Sequence, residues 1–236
     1  MKMLGERQQS ILGAIVREYV RTARPVASQD IMHGLDLDVG AATIRNEMLA
    51  LDELGYLEQP YTSSGRVPTD KGYRFFVDYL TDEDGELTGR ERTKIRELFA
   101  DSDDEDVFVK EFSRMISHMT GAFTAAGLFD DALFYDVGFS QILKEPEFQD
   151  VGYLEDFGRL VDSLDDEVRG LCEQSRNAAG RVFIGKENPL AQGRSHAMIV
   201  SSWRHPAGFE GFLALIGPKR MDYQKVISLL HEIRNF

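Results

Sequence analysis

The sequence predicts an α+β protein built as an N-terminal winged helix-turn-helix over residues 1–80, an acidic linker or helix over 81–106, and an α+β domain over 107–236. Three observations predict it. Residues 6–54 hold three segments with apolar side chains at helical spacing, parted by Pro and Gly. Residues 56–80 then change to a strand, a turn and a returning strand. The last third contains the β-forming runs RVFIGKEN, HAMIVSSWRH and GFEGFLALIGPKR, followed by one amphipathic helical segment.

The first segment, ERQQSILGAIVREYVRT, places Ile11, Leu12, Ile15, Val16, Tyr19 and Val20 on one stripe, and Pro25 ends it. Ser28 is expected to N-cap a short second helix, SQDIMHGL, with Gly34 near its end and LDLDVGAA as the turn. The third helix spans about Ala41 to Leu54, closed by Gly55. At about 100° per residue its aliphatic face gathers Ile44, Met48 and Leu51, while Ala42 and Asn46 lie opposite, flanked by Thr43 and Arg45. Arginine and asparagine suit guanine and adenine edges, and a recognition helix reads bases with its first turns. In YLEQPYTSSGRVPTDKGYRFF the turn is expected at TSSGR, with Gly65 and Arg66 at the tip and helix resuming near Asp70. Arg66 is then expected to reach the minor groove or a phosphate, and Ser63, Ser64, Lys71 and Arg74 the DNA backbone.

Charge is uneven. The chain is net -13, but residues 1–80 hold 9 Lys+Arg against 11 Asp+Glu, and 81–236 hold 18 against 29. The acidity thus belongs to the second part, and phosphate contact depends on local cations. The run TDEDGELTGRERTKIRELFADSDDED (81–106) has the composition of a solvated linker around a helical centre, and VFVKEFSRMISHMTGAF (107–123) reads as an amphipathic helix. Residues 151–178 read as helical, and in the final segment Ile227, Leu230 and Ile233 share one side.

Other chemistries find little support. The one cysteine, Cys172, has no nearby histidine, so neither a disulfide nor a thiol nucleophile is expected. The five histidines are scattered without metal-ligand spacing and read as packing or surface residues. Gly217-Pro218 is a strand-to-helix turn rather than a phosphate cradle, and Phe183, Trp203, Phe209 and Phe212 are core candidates. The reading is therefore of a protein that is not an enzyme, with no cofactor and no metal. No apolar run spans a membrane and MKMLGERQQS lacks a signal-peptide core, so a cytoplasmic location is expected.

ERQQSILGAIVREYVRTARPVASQDI and VGAATIRNEMLALDELGYLEQPYTSSGRVPTDKGYRFFVDYL together resemble the N-terminal domain of the heat-inducible transcription repressor HrcA family. ILKEPEF, FIGKEN and IGPKRMDY resemble motifs of the family's second domain, in order. The resemblance implies a GAF-like second domain and a repressor of heat-shock and chaperone genes. Such a protein binds an inverted-repeat operator as a homodimer, acts at the nucleoid and depends on the GroE chaperonin. It also implies a shortened member, because only about ten residues separate MISHMTGAF from LFYDVGFSQILKEPEF, where the family carries sheet strands and an inserted segment. The alternative is a winged-helix regulator of other genes, or a protein-interaction module that does not bind this operator.

Overall fold

The computed structural model describes residues 4–32, 40–80, 87–173 and 180–236. Gly34, most of the LDLDVGAA turn and the end of the expected helical stretch at 174–178 lie outside them. The chain forms two compact units, Met1–Leu80 and Thr81–Phe236.

In the first unit, α1 (Glu6–Thr22) buries Ile11, Leu12, Ile15 and Val16, and turns at Ala23 in the left-handed region. Helix α2 (Ser28–Met32) starts on Ser28 itself, so Ser28 is not its cap; Asp30 Oδ2 instead accepts from the Ala27 N–H at 2.7 Å. Helix α3 (Ala41–Glu53) buries Ile44, Met48 and Leu51 against α1 and α2, and Gly55 leaves it at φ 77°. Strands β1 (Leu57–Glu58) and β2 (Val67–Pro68) pair antiparallel, Leu57 opposite Pro68 and Glu58 opposite Val67. Helix α4 (Asp70–Tyr79) follows, its Thr69 cap accepting from the Gly72 N–H at 3.2 Å. Gly72 is required there, since a Cβ would run into the Tyr56 carbonyl.

In the second unit α5 (Gly89–Asp101) occupies the helical centre expected within 81–106, of which residues 81–86 lie outside the described residues. Thr88 and Glu91 form a capping box, Ile95 and Phe99 are buried, and Arg92 and Arg96 both bind Glu232 near the C-terminus. Helix α6 (Glu105–Thr120) stops at Gly121, at φ 70°, so the helical reading of 107–123 ends three residues early. Strands β3 (Phe123–Leu128) and β4 (Phe134–Val137) form an antiparallel hairpin across the short stretch where sheet strands looked lost. Short α7 (Phe139–Ile142), then α8 (Val151–Asp162) and α9 (Leu164–Glu173), lead to β5 (Arg181–Ile184), β6 (His196–Arg204), β7 (Glu210–Pro218) and α10 (Tyr223–Ile233). The sheet is antiparallel throughout, in the order β4-β3-β7-β6-β5, the α+β class expected.

Phe123, Phe148, Phe157, Leu160, Met198 and Phe212 anchor a core on the face of that sheet covered by α8 and α9. Trp203, Phe183 and Phe212 are buried as expected, and Phe209 is half-buried, stacked on His205. The inward stripe of α10 is Val226, Leu229, Leu230 and Ile233, with Ile227 only half-buried beside it. Arg220 is clamped by Glu145 at 2.5 Å and Glu147 at 2.6 Å, so the IGPKRMDY and ILKEPEF motifs meet as one half-buried ion cluster. No helix of the described residues is long and apolar enough to cross a membrane.

Candidate nucleic-acid interface

Burying Ile44, Met48 and Leu51 obliges the helical period to turn the opposite residues of α3 outward. Ala42, Arg45 and Asn46 are exposed and Thr43 is half-buried, all within the first two turns. Among the described residues, the side chains of Arg45 and Asn46 are bonded to no other side chain. Their donors are therefore available to an incoming acceptor, and Ala42 leaves room for close approach. The acidic residues farther along α3 are mostly engaged. Glu47 accepts from Arg7 Nε at 2.7 Å and Gln8 Nε2 at 3.1 Å, which ties the helix to α1. Asp52 faces Arg66 Nε at 2.7 Å, and only Glu53, at the C-terminal end, stays exposed.

Leu49 belongs to this surface and the sequence reading passes over it. It lies four residues after Arg45 and three after Asn46, on the outward stripe, and is 46% exposed. Apolar side chains on such a face contact the thymine methyl group. Its spacing is the signal that finds it.

The wing differs from expectation at its tip. Beyond the Glu58–Val67 pair the loop closes on a turn in which Ser64 N–H donates to the Tyr61 carbonyl at 3.0 Å and Gln59 Nε2 donates to the Ser64 carbonyl, also at 3.0 Å. Ser63 takes a left-handed φ of 67°, and Tyr61, 65% exposed, is the outermost large side chain. The tip is therefore Tyr61–Ser64. Gly65 and Arg66 lie at the wing's base, where Arg66 exchanges two backbone hydrogen bonds with Val26, at 2.8 and 2.9 Å. Ser63 is exposed at the tip; Ser64 is half-buried, its hydroxyl donating to the Gly65 carbonyl at 3.1 Å.

Lys71 and Arg74 are on α4, beyond the wing. Lys71 Nζ donates to the Leu54 carbonyl at 2.6 Å and lies 4.1 Å above the Tyr56 ring, so it caps the C-terminal end of α3. Arg74 pairs with Asp78 at 3.3 Å. Three cations expected at the DNA backbone thus have partners within the unit, because each lies within reach of a carboxylate or of a helix carbonyl. Between the start of α2, the outer side of α3 and the wing runs a cleft of about 390 Å³ lined by Ser28, Arg45, Leu49, Gln59, Ser64 and Arg66, among others.

Residues 3–79 match the family model of the winged helix-turn-helix transcription repressor HrcA DNA-binding domain, and residues 77–227 that of the HrcA protein C-terminal domain. The heat-inducible transcription repressor HrcA of Lachnoclostridium phytofermentans is 26% identical, over 98% of this chain and 95% of its own. That of Carboxydothermus hydrogenoformans is 50% identical over 99 residues, 42% of this chain and 29% of its own. A solved crystal structure of a hypothetical protein shares the fold at a TM-score of 0.82 and 19% identity, covering 99% of this chain and 97% of that one. The first of these alignments runs over 333 positions against the 236 residues of this chain, which leaves at least 97 (333 − 236) without a counterpart here. Since nearly all of both chains is aligned, that surplus is internal. With both family models matched in order across almost the whole chain, the chain belongs to the HrcA family of winged helix-turn-helix transcription repressors, as a shortened member, and not to a family of enzymes.

Proposed function

We propose that this protein is a heat-inducible repressor of chaperone genes that binds an inverted-repeat operator as a homodimer. One observation carries the reading: Arg45 and Asn46 stand exposed and, among the described residues, unengaged in the first turns of α3 while the acidic Glu47 and Asp52 behind them are paired. That arrangement leaves hydrogen-bond donors, not carboxylates, to face a base edge. Helix α3 enters the major groove, with Ala42 and Thr43 at close approach, Arg45 and Asn46 on base edges, and Leu49 against a methyl group. Ser63 and Ser64 meet the backbone at the wing tip, and any phosphate contact by Lys71 or Arg74 requires each to exchange its present partner. A single helix of this length discriminates modestly, so two copies on a two-fold operator supply the specificity. The protein acts in the cytoplasm, at the nucleoid, and the GroE chaperonin is its regulatory partner, as the family resemblance implies.

Fluorescence anisotropy of the whole chain on inverted-repeat and scrambled duplexes, over a salt series, tests this reading. Operator-selective binding lost in Asn46→Ala is expected. Weak and equal binding to both duplexes would overturn it.

A further inference from the structure

We propose that Arg66 is a positioning residue: with Asp52 it forms a clamp that fixes the wing against the recognition helix, and it is not a contact to DNA. The proposal rests on the operator-binding reading above and names a part of that site. Arg66 is where three pieces of the unit meet. Its main chain has left the wing ladder, whose last pair is Glu58–Val67, and instead exchanges hydrogen bonds with Val26 in the segment that enters α2. Gly65 beside it touches the same segment so closely that a Cβ would collide with the Val26 backbone. Its side chain, 13% exposed, then turns to α3 and meets Asp52 at 2.7 Å. The contact is an ion pair and not an aligned hydrogen bond, since Nε is buried without a hydrogen-bond acceptor in line. A guanidinium held this way offers little surface to a phosphate.

The position of Asp52 gives the clamp its second consequence. Asp52 is seven residues after Arg45 and three after Leu49, on the same edge of α3. Left unpaired, its carboxylate would repel phosphates beside the base-reading side chains. The pair thus neutralises that edge and sets the distance between α3 and the wing, the two elements that must straddle the DNA backbone together.

A phosphate contact and a clamp make opposite predictions for Asp52. Removing a negative charge beside a DNA-binding face strengthens binding if electrostatics alone matters. Loss of the clamp weakens it. For the whole chain on operator and scrambled duplexes, Arg66→Gln and Asp52→Asn are each expected to lower operator affinity by about tenfold. The double variant should be no weaker than either single one, and in Asp52→Asn binding to scrambled duplex and the salt slope should not change. Arg66→Lys, which keeps the charge, should recover part of the loss. A salt slope reduced by about one in Arg66→Gln, with tighter binding in Asp52→Asn, would overturn the clamp in favour of direct phosphate contact.

A second measurement needs no DNA. Amide hydrogen exchange at Val26 and Arg66, whose N–H groups bond to each other's carbonyls, should speed up by about tenfold in Asp52→Asn. Unchanged exchange would overturn the clamp even if DNA binding fell. Absence of operator preference in the unsubstituted protein would instead remove the operator reading, and the exchange rates would still decide the clamp.

Discussion

At the scale of single residues the interface is a matter of which side chains are already occupied. Among the described residues Arg45 and Asn46 are not, and Arg66, Lys71 and Arg74 are. Arg45→Ala should therefore cost operator binding about 1–3 kcal/mol, the worth of one bidentate base contact, with a much smaller change on scrambled DNA. Equal losses on the two duplexes would place Arg45 on a phosphate. Leu49 invites a paired substitution on the DNA side. Replacing operator thymines with uracils deletes only methyl groups, worth about 0.8 kcal/mol or roughly fourfold for one that is fully covered. One such replacement should weaken the unsubstituted protein and leave Leu49→Ala indifferent. Equal sensitivity of both proteins at every thymine would remove Leu49 from the base-reading surface. The sequence discloses the identity of these side chains and, through the 3.6 period, their direction. It does not disclose partners. Asp52 and Arg66 are 14 positions apart, and Lys71 reaches the end of a helix 17 positions earlier. Such contacts follow from tertiary folding, which is why the basic residues of the wing region read as free cations in the linear chain.

At the scale of elements, legibility followed how one-sided each element's burial is. Helices α1 and α3 each bury a stripe and end shortly before Pro25 and at Gly55, so pattern alone reveals them. Strand β3, FTAAGL, is buried at every position and made largely of small residues, so it shows neither alternation nor strong β propensity. Helix α5 buries chiefly Ile95 and Phe99, and its charged majority imitates a linker despite the capping-box residues Thr88 and Glu91. One buried group ties an element to solution conditions. His196 begins β6 beneath α8, enclosed by Phe148, Tyr153 and Phe157, and both ring nitrogens are buried without a hydrogen-bond partner. Burial pushes the imidazole down to about 4, against the opposing pull of Asp156. The unfolded chain takes up this proton from the ordinary histidine value of 6.5 downward, whereas the folded chain resists until about 4. The second unit should accordingly lose roughly 3 kcal/mol of stability as pH falls from 6.5 to 4, with no further loss from this group below that. Glu91, held down to about 2 by Lys225 and the Thr88 backbone, adds an acid limb at lower pH, between 4.5 and 2. Denaturant titrations of His196→Phe across this range should show the upper limb flattened. An unchanged limb would place the proton uptake elsewhere.

At the scale of the whole molecule, the two units carry opposing effects on DNA. Residues 1–80 are net -2 and hold the base-reading helix, whereas residues 81–236 are net -11. An acidic partner attached to a reading unit lowers its affinity for any duplex through long-range repulsion, and salt screens that repulsion within about 10 Å at 0.1 M. The same attachment raises selectivity if the second unit holds two copies together, because the second half-site then binds at an effective concentration far above that of free protein. The proposed dimer therefore makes a signed prediction for residues 1–80 alone. They should bind scrambled duplex at least as tightly as the whole chain does, yet show no preference for an inverted repeat over a single half-site. The whole chain should prefer the inverted repeat by about a hundredfold or more, with two copies per duplex by sedimentation. Relative to the Lachnoclostridium phytofermentans protein the chain is internally shortened by at least 97 positions, and the same measurement tests whether the shortened chain dimerises. If the whole chain too bound half-site and inverted repeat alike, the shortened second unit would not dimerise, and the specificity of a two-fold operator would have to come from another chain.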